Sequence, residues 1–182
     1  MEKERNSRVI HYIILLMLCF AFGFGLVGLF FTFSPFYSAV VRGTSMYPNF
    51  EPDEKIWFIK CNEKTEIKRF DVVDIDVDYS EDDIVKRVIG LPGEEVQILD
   101  GKVNINGEIL EDDTYCDEEI EKAYRAAEKI VLADDEYFVL GDNRNNSSDS
   151  RLEKIGNVKR EQIRGKLVPH FNNGEKKHPN DE

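Results

Sequence analysis

A hydroxyl is a poor nucleophile near neutral pH unless a neighbouring group takes its proton. The stretch Gly43-Thr44-Ser45-Met46-Tyr47-Pro48 offers a serine between two backbone punctuators, just past a long apolar segment. Alone it reads first as a polar turn after a helix. Two later stretches add to it: Lys86-Arg-Val-Ile-Gly-Leu-Pro-Gly-Glu94, and Gly141-Asp-Asn-Arg-Asn-Asn-Ser-Ser-Asp-Ser-Arg151.

The histidines are poor partners for Ser45. His11 lies inside the apolar segment, and His170 and His178 lie near the C-terminal end, so a Ser-His-Asp arrangement is not expected. A lysine can take the proton if it is neutral. Its reference pKa of ~10.4 means that it must be desolvated, at about 1.4 kcal/mol per pH unit of depression. Lys86 interrupts the apolar run Ile84-Val85 and Val88-Ile89. Strand alternation puts it on one face with Ile84 and Val88, and Arg87 on the other. The alternative is that Arg87 points inward and Lys86 outward, or that both lie on a solvated edge.

These groups need a scaffold and a location. From Val9 to Val41 there is no Asp, Glu, Lys or Arg. A helix needs ~20 apolar residues to cross a bilayer, and Val9 to Phe33 exceeds that. A cleavable signal peptide would have an apolar core of only ~7–15 residues. An uncleaved, single-pass anchor over residues 9–33 is therefore expected in the cell membrane. Lys3, Arg5 and Arg8 precede it, against Arg42 alone after it. Residues 1–8 are thus expected in the cytoplasm and the remainder outside it.

Beyond Ser45 the pattern changes to short strands: Lys55–Lys60, Asp71–Asp78, Ile84–Ile89, Glu95–Leu99, Lys102–Ile105, Glu108–Leu110 and Glu136–Leu140. Asp100-Gly101 and Asn106-Gly107 are strong hairpin signals. The expected fold is mainly β: an antiparallel, coiled β-sheet domain over 34–171 behind one N-terminal transmembrane helix. Asp117–Ala133, with Ile120, Tyr124, Ala127 and Val131 at helical spacing, is expected as a surface helix or an insertion. The polar tail 172–182 is expected to be disordered.

Composition excludes some classes. The 182 residues are 41% hydrophobic and 33% charged, with a formal net charge of -12, which argues against nucleic acid as a partner. Cys19, Cys61 and Cys116 have no metal-ligand spacing, and no metal or cofactor is called for. In an oxidising compartment Cys61 and Cys116 could pair, but two cysteines in a sequence do not fix a distance.

In order, and after an anchor, the three stretches resemble the boxes of the type I signal peptidases, membrane-bound Ser-Lys proteases that remove signal peptides from exported proteins. Gly43–Pro48 fits that family's G-x-S-M-x-P pattern, Lys86–Gly93 its K-R-x-x-G-x-P-G run, and Gly141–Arg151 its last box. A fourth box is met only in part by Phe70-Asp71-Val72-Val73. The resemblance runs from Val9 to about Leu167. It implies Ser45 as nucleophile, Lys86 as general base and then general acid, and Ser147 as the hydroxyl that orients the amine. It implies Asp149 and Arg151 as structural support, packing or pairing for Arg87, and secretory preproteins and the lipid bilayer as partners. Gly43 stands where some members carry a second oxyanion donor, Asn49-Phe50 where Thr-Leu is usual, and Phe70 where Gly is usual. Two other classes compete: a self-cleaving transcriptional regulator, which the anchor argues against, and a non-catalytic anchored β-domain that binds exported chains.

Overall fold

The computed structural model describes residues 2–77, 83–116 and 118–168, and the tail expected at 172–182 lies outside them. The chain divides into two compact units, Met1–Pro35 and Phe36–Glu182.

The first unit is one helix, α1 (Glu2–Phe33). Its stretch Tyr12–Leu29 is long and apolar enough to cross a membrane, and none of that stretch is buried within the protein. Large apolar side chains along it, such as Leu16, Phe20 and Phe24, are open to the surroundings. That is stable in lipid and not in water.

The second unit is mainly β and antiparallel in every pairing. It contains β1 (Phe36–Val40), β2 (Lys55–Lys60), β3 (Val72–Ile75), β4 (Ile84–Gly90), β5 (Glu95–Leu99), β6 (Lys102–Ile105), β7 (Glu108–Ile109), β8 (Ile130–Val131), β9 (Glu136–Leu140), β10 (Val158–Lys159) and β11 (Ile163–Leu167). A seven-stranded sheet runs β1-β2-β11-β3-β4-β9-β10, and a four-stranded sheet runs β7-β6-β5-β8. The expected hairpins are present. Asp100-Gly101 joins β5 to β6 and Asn106-Gly107 joins β6 to β7, each pair with positive φ at both residues.

One expectation fails. Residues 118–133 form no α-helix, only a 3-10 turn at Tyr124–Ala127 followed by β8. Ile120, Ala126, Ile130 and Leu132 are the residues that enter the core, while Tyr124 and Val131 are exposed. The helical spacing of Ile120, Tyr124, Ala127 and Val131 therefore joined buried to exposed positions, and packing against β5 set the burial instead.

Among the described residues three core clusters fill the domain, and one of them holds the serine in place. Met46 and Phe50, both at 0% exposure, pack with Val41, Ile56, Phe58, Val72 and Leu167. Ser45 thus sits on the loop between β1 and β2, pinned from below by its own neighbour. Val41 N–H to Glu54 O and Asp53 N–H to Val41 O, both 2.8 Å, close the base of that loop.

Candidate active site

Lys86 lies in β4, whose first four residues pair with β3, Val73 standing opposite Lys86. β9 joins β4 only from Arg87 onward. Ile84–Lys86 therefore carries a strand on one flank and, among the described residues, none on the other. That open flank borders a cleft of about 250 Å³, with Val40–Arg42, Ser45, Met46 and Asp83 also in its lining.

In this cleft the Lys86 amine donates to Ser45 Oγ at 2.9 Å and to the Val85 carbonyl at 2.7 Å. Lys86 is only 4% exposed. Burial pushes its pKa down to about 8, against the opposing fields of Asp149 and Asp142. The edge reading of Lys86 does not hold, and neither does the choice between it and Arg87, because both side chains are buried. Arg87 instead pairs at two points with Asp142, Nε to Oδ1 at 2.8 Å and Nη2 to Oδ2 at 2.7 Å. Its guanidinium also lies 3.5 Å from the Tyr115 ring centroid and donates to the Phe70 carbonyl.

The segment Gly141–Arg151 grips the serine loop from the other side. Asn143 N–H donates to Ser45 O at 3.0 Å and Asn143 Nδ2 to Thr44 O at 3.1 Å, while Asn146 Nδ2 donates to Thr44 Oγ1 at 3.0 Å. At Gly141 a Cβ would collide with the Ser147 side chain and with the Ser45 carbonyl oxygen. Only glycine lets the two segments pass this closely. Asp149 accepts the Gly141 N–H at 3.1 Å and pairs with Arg151, which also donates to Lys122 O and Arg144 O. Asp149 and Arg151 are thus buried braces of the segment. Ser147 Oγ is buried beside Gly141 and has no partner among the described residues, and Lys86 bonds Val85 O instead.

The Ser45 N–H has no acceptor among the described residues, which leaves it free to meet an oxyanion. Gly43, at φ 72°, offers no side-chain donor. Phe70 holds the positive φ of 70° that a glycine would take without strain. Its N–H donates to Val88 O at 2.7 Å and its ring packs on Tyr115 at 5.5 Å between centroids. Cys61 and Cys116 are free thiols. Among the described residues no group of histidines, cysteines and carboxylates is placed to hold a metal ion.

Sequence reasoning missed Asn49, Tyr115, Asp142, Asn143 and Asn146, which do much of the holding. Three of them sit inside the last box, where a run of amides among charges could have signalled it.

The chain is similar to several known proteins. A signal peptidase I of Bacillus licheniformis is 35% identical over 143 residues, 74% of this chain and 74% of that protein. Signal peptidase I T of Bacillus subtilis (strain 168) is 38% identical over 133 residues, 66% of this chain and 65% of the relative. Signal peptidase I P of Bacillus subtilis subsp. natto is 31% identical over 158 residues, 82% of each chain. A solved signal peptidase I from Enterococcus faecalis V583 is 32% identical and covers 57% of this chain and 98% of its own, with a TM-score of 0.49. The signal peptidase family, peptidase S26, matches residues 9–171, and the chain belongs to it.

Proposed function

We propose that the chain is a serine endopeptidase in which Ser45 attacks and Lys86 carries the proton, releasing signal peptides from exported preproteins at the outer face of a membrane. The observation that carries this reading is the 2.9 Å contact between a buried lysine amine and a serine hydroxyl at the edge of an open cleft. With the amine neutral, the contact reverses and Ser45 O–H donates to the Nζ lone pair. Attack forms the Oγ–carbonyl bond as that proton passes to Nζ, and the carbonyl oxygen, now anionic, meets the Ser45 N–H. Collapse breaks the peptide C–N bond, and the ammonium returns its proton to the leaving amine. Water, deprotonated by the same amine, then attacks the ester carbonyl, and the ammonium so formed protonates Ser45 Oγ as the acyl–oxygen bond breaks.

Ser147, with its hydroxyl unpartnered beside the site, orients the amine during turnover. Asp149 and Arg151 hold the segment that carries it. The open flank of Ile84–Lys86 accepts the substrate backbone as an added strand. The apolar walls at Val40, Ile84 and Val85 suit small side chains near the cut. Residues 9–33 span the cell membrane with 1–8 in the cytoplasm, and 34–171 form the extracytoplasmic peptidase domain. Tethering places the nucleophile where a spanning precursor presents its cleavage site, so proximity stands in for tight binding.

The test compares wild type and Ser45→Ala on a secretory precursor in lipid. The expected result is loss of cleavage with binding retained. Unchanged cleavage by Ser45→Ala, or no cleavage by wild type, overturns the reading, and the latter outcome favours an anchored binding domain.

A further inference from the structure

We propose that Asn49 is a positioning residue for the Ser45–Lys86 pair, its amide clamping the serine loop to the Asp142 carboxylate and to the Tyr115 carbonyl. The inference rests on the reading of that pair given above.

Both hydrogens of the Asn49 amide are used. Nδ2 donates to Asp142 Oδ2 and to Tyr115 O, each at 2.9 Å. Both partners are acceptors only, so the amide has a single orientation that suits them. That orientation leaves Asn49 Oδ1 buried with no donor among the described residues. The residue is 2% exposed, and an apolar side chain of similar size would fill the space without an orphaned oxygen. Packing therefore does not explain the asparagine, whereas its two donors do.

What the donors join is a closed circuit. Asn49 is four residues beyond the nucleophile, on a loop anchored by Met46 and Phe50. Its amide meets the same Asp142 oxygen that takes Arg87 Nη2. Arg87 follows Lys86 in β4, and Lys86 reaches back to Ser45. Asn143 holds the Thr44 and Ser45 carbonyls and Asn146 the Thr44 hydroxyl, but neither bonds the Asp142 carboxylate. Asn49 is the link from the serine loop to the group that flanks the amine.

That flank matters electrostatically. Asp142 and Asp149 both bear on Lys86 from the Gly141–Arg151 segment, and each is held by an arginine, Arg87 or Arg151. Arg42 and Asp83 line the same cleft. Removing the Asn49 donor leaves Asp142 with less of its charge satisfied and freer to turn, which stabilises the ammonium form.

The test follows two readouts on the full chain in detergent micelles, in wild type, Asn49→Ala and Asn49→Thr. One is the pH–rate profile of precursor cleavage. The other is the titration of the Lys86 amine by NMR of lysine labelled at Cε, with the resonance assigned by its loss in Lys86→Arg. Asn49→Ala is expected to lower kcat roughly tenfold with KM little changed. Both the acid limb and the amine midpoint should move up by about half a pH unit or more. Asn49→Thr, which keeps one donor, should fall between, and it carries the comparison if the alanine variant does not fold. If both variants titrate and turn over as wild type while only their melting temperatures fall, Asn49 is a packing residue and the proposal is wrong. If wild type cleaves no precursor, the peptidase reading fails while the amine titration still tests the clamp.

Discussion

Lys86 Nζ stands 2.9 Å from Ser45 Oγ on a side chain that is almost wholly buried, and burial pushes its pKa down to about 8. The base form is therefore a minority species at neutral pH and the majority form above pH 8. Cleavage at low substrate concentration is expected to rise with pH along a limb centred near 8, since kcat/KM follows the free enzyme's ionisation. Lys86→Arg is expected to abolish the reaction, because a guanidinium cannot give up its proton in this range. A limb centred near 10, or activity in Lys86→Arg, would require another base.

The same burial carries a cost in stability. The folded pKa lies below the reference value of 10.5, so from about pH 8 to 10.5 the unfolded chain binds more protons and stability rises with pH. Below pH 8 the charged amine is buried at a cost of about 3 kcal/mol. Lys86→Met is thus expected to melt above wild type at pH 7, with the gap closing by pH 10.5, while being inactive. Thermal denaturation of both proteins in detergent at the two pH values measures this.

Asp74 gives a second pH signature, on β3, where it accepts the Tyr37 hydroxyl at 2.6 Å. Burial raises its pKa to about 6, helped by Asp83 and Asp76, while the Tyr37 bond and Arg164 oppose the rise. For an acid shifted this way the folded state holds the extra proton, so stability falls as pH rises from about 4 to 6 and the loss persists above it. Asp74→Asn keeps an acceptor for Tyr37 and removes the charge. It is expected to stabilise the protein on the order of 2 kcal/mol at pH 7 and to make little difference below pH 4. Denaturation at pH 3.5 and 7 would show it; an equal effect at both would rule out ionisation as the cause.

Arg87 and Asp142 form a pair in which neither side chain has any exposure. Removing one partner strands the other charge, so Asp142→Asn and Arg87→Met are each expected to cost about 3–5 kcal/mol. Arg87→Met combined with Asp142→Leu should recover much of that stability, because neither charge is then left stranded. A double variant no more stable than the singles would show that the pair is not coupled as described.

Local signals in the sequence carried much of this fold. β2, β5, β6 and β9 lie where the short β-rich runs put them, and the two Xaa-Gly turns fixed the hairpins between β5, β6 and β7. β1 was hidden because Phe36–Val40 directly follows an apolar stretch whose continuity hides period two. β11 was hidden because Arg164, Gly165 and Lys166 look like a polar loop. It nevertheless runs between β2 and β3, and that neighbourhood is set by residues about a hundred positions away. The site divides the same way. Ser45, Lys86, Ser147, Asp149 and Arg151 were legible as residue types in motifs. Tyr115 was not, because what it contributes is a backbone carbonyl to Asn49 and a ring face to Arg87.

Two glycines separate fold from function. A Cβ at Gly90 would strike the side chains of Val96, Leu132 and Phe138 in the core beneath the small sheet. Gly90→Ala is expected to destabilise by about 1–3 kcal/mol through overpacking. Its kcat per folded molecule should be unchanged, since those contacts do not reach the cleft. A Cβ at Gly141 would strike the Ser147 side chain and the Ser45 carbonyl oxygen instead. The carbonyl belongs to backbone and cannot swing aside, so the serine loop must shift, and a displacement of about 1 Å is enough to lower turnover ~100-fold. Gly141→Ala should therefore lose kcat out of proportion to its melting temperature. Parallel assays of turnover and thermal denaturation on the two variants decide the point, and equal kcat losses would mean that Gly141 serves the fold alone.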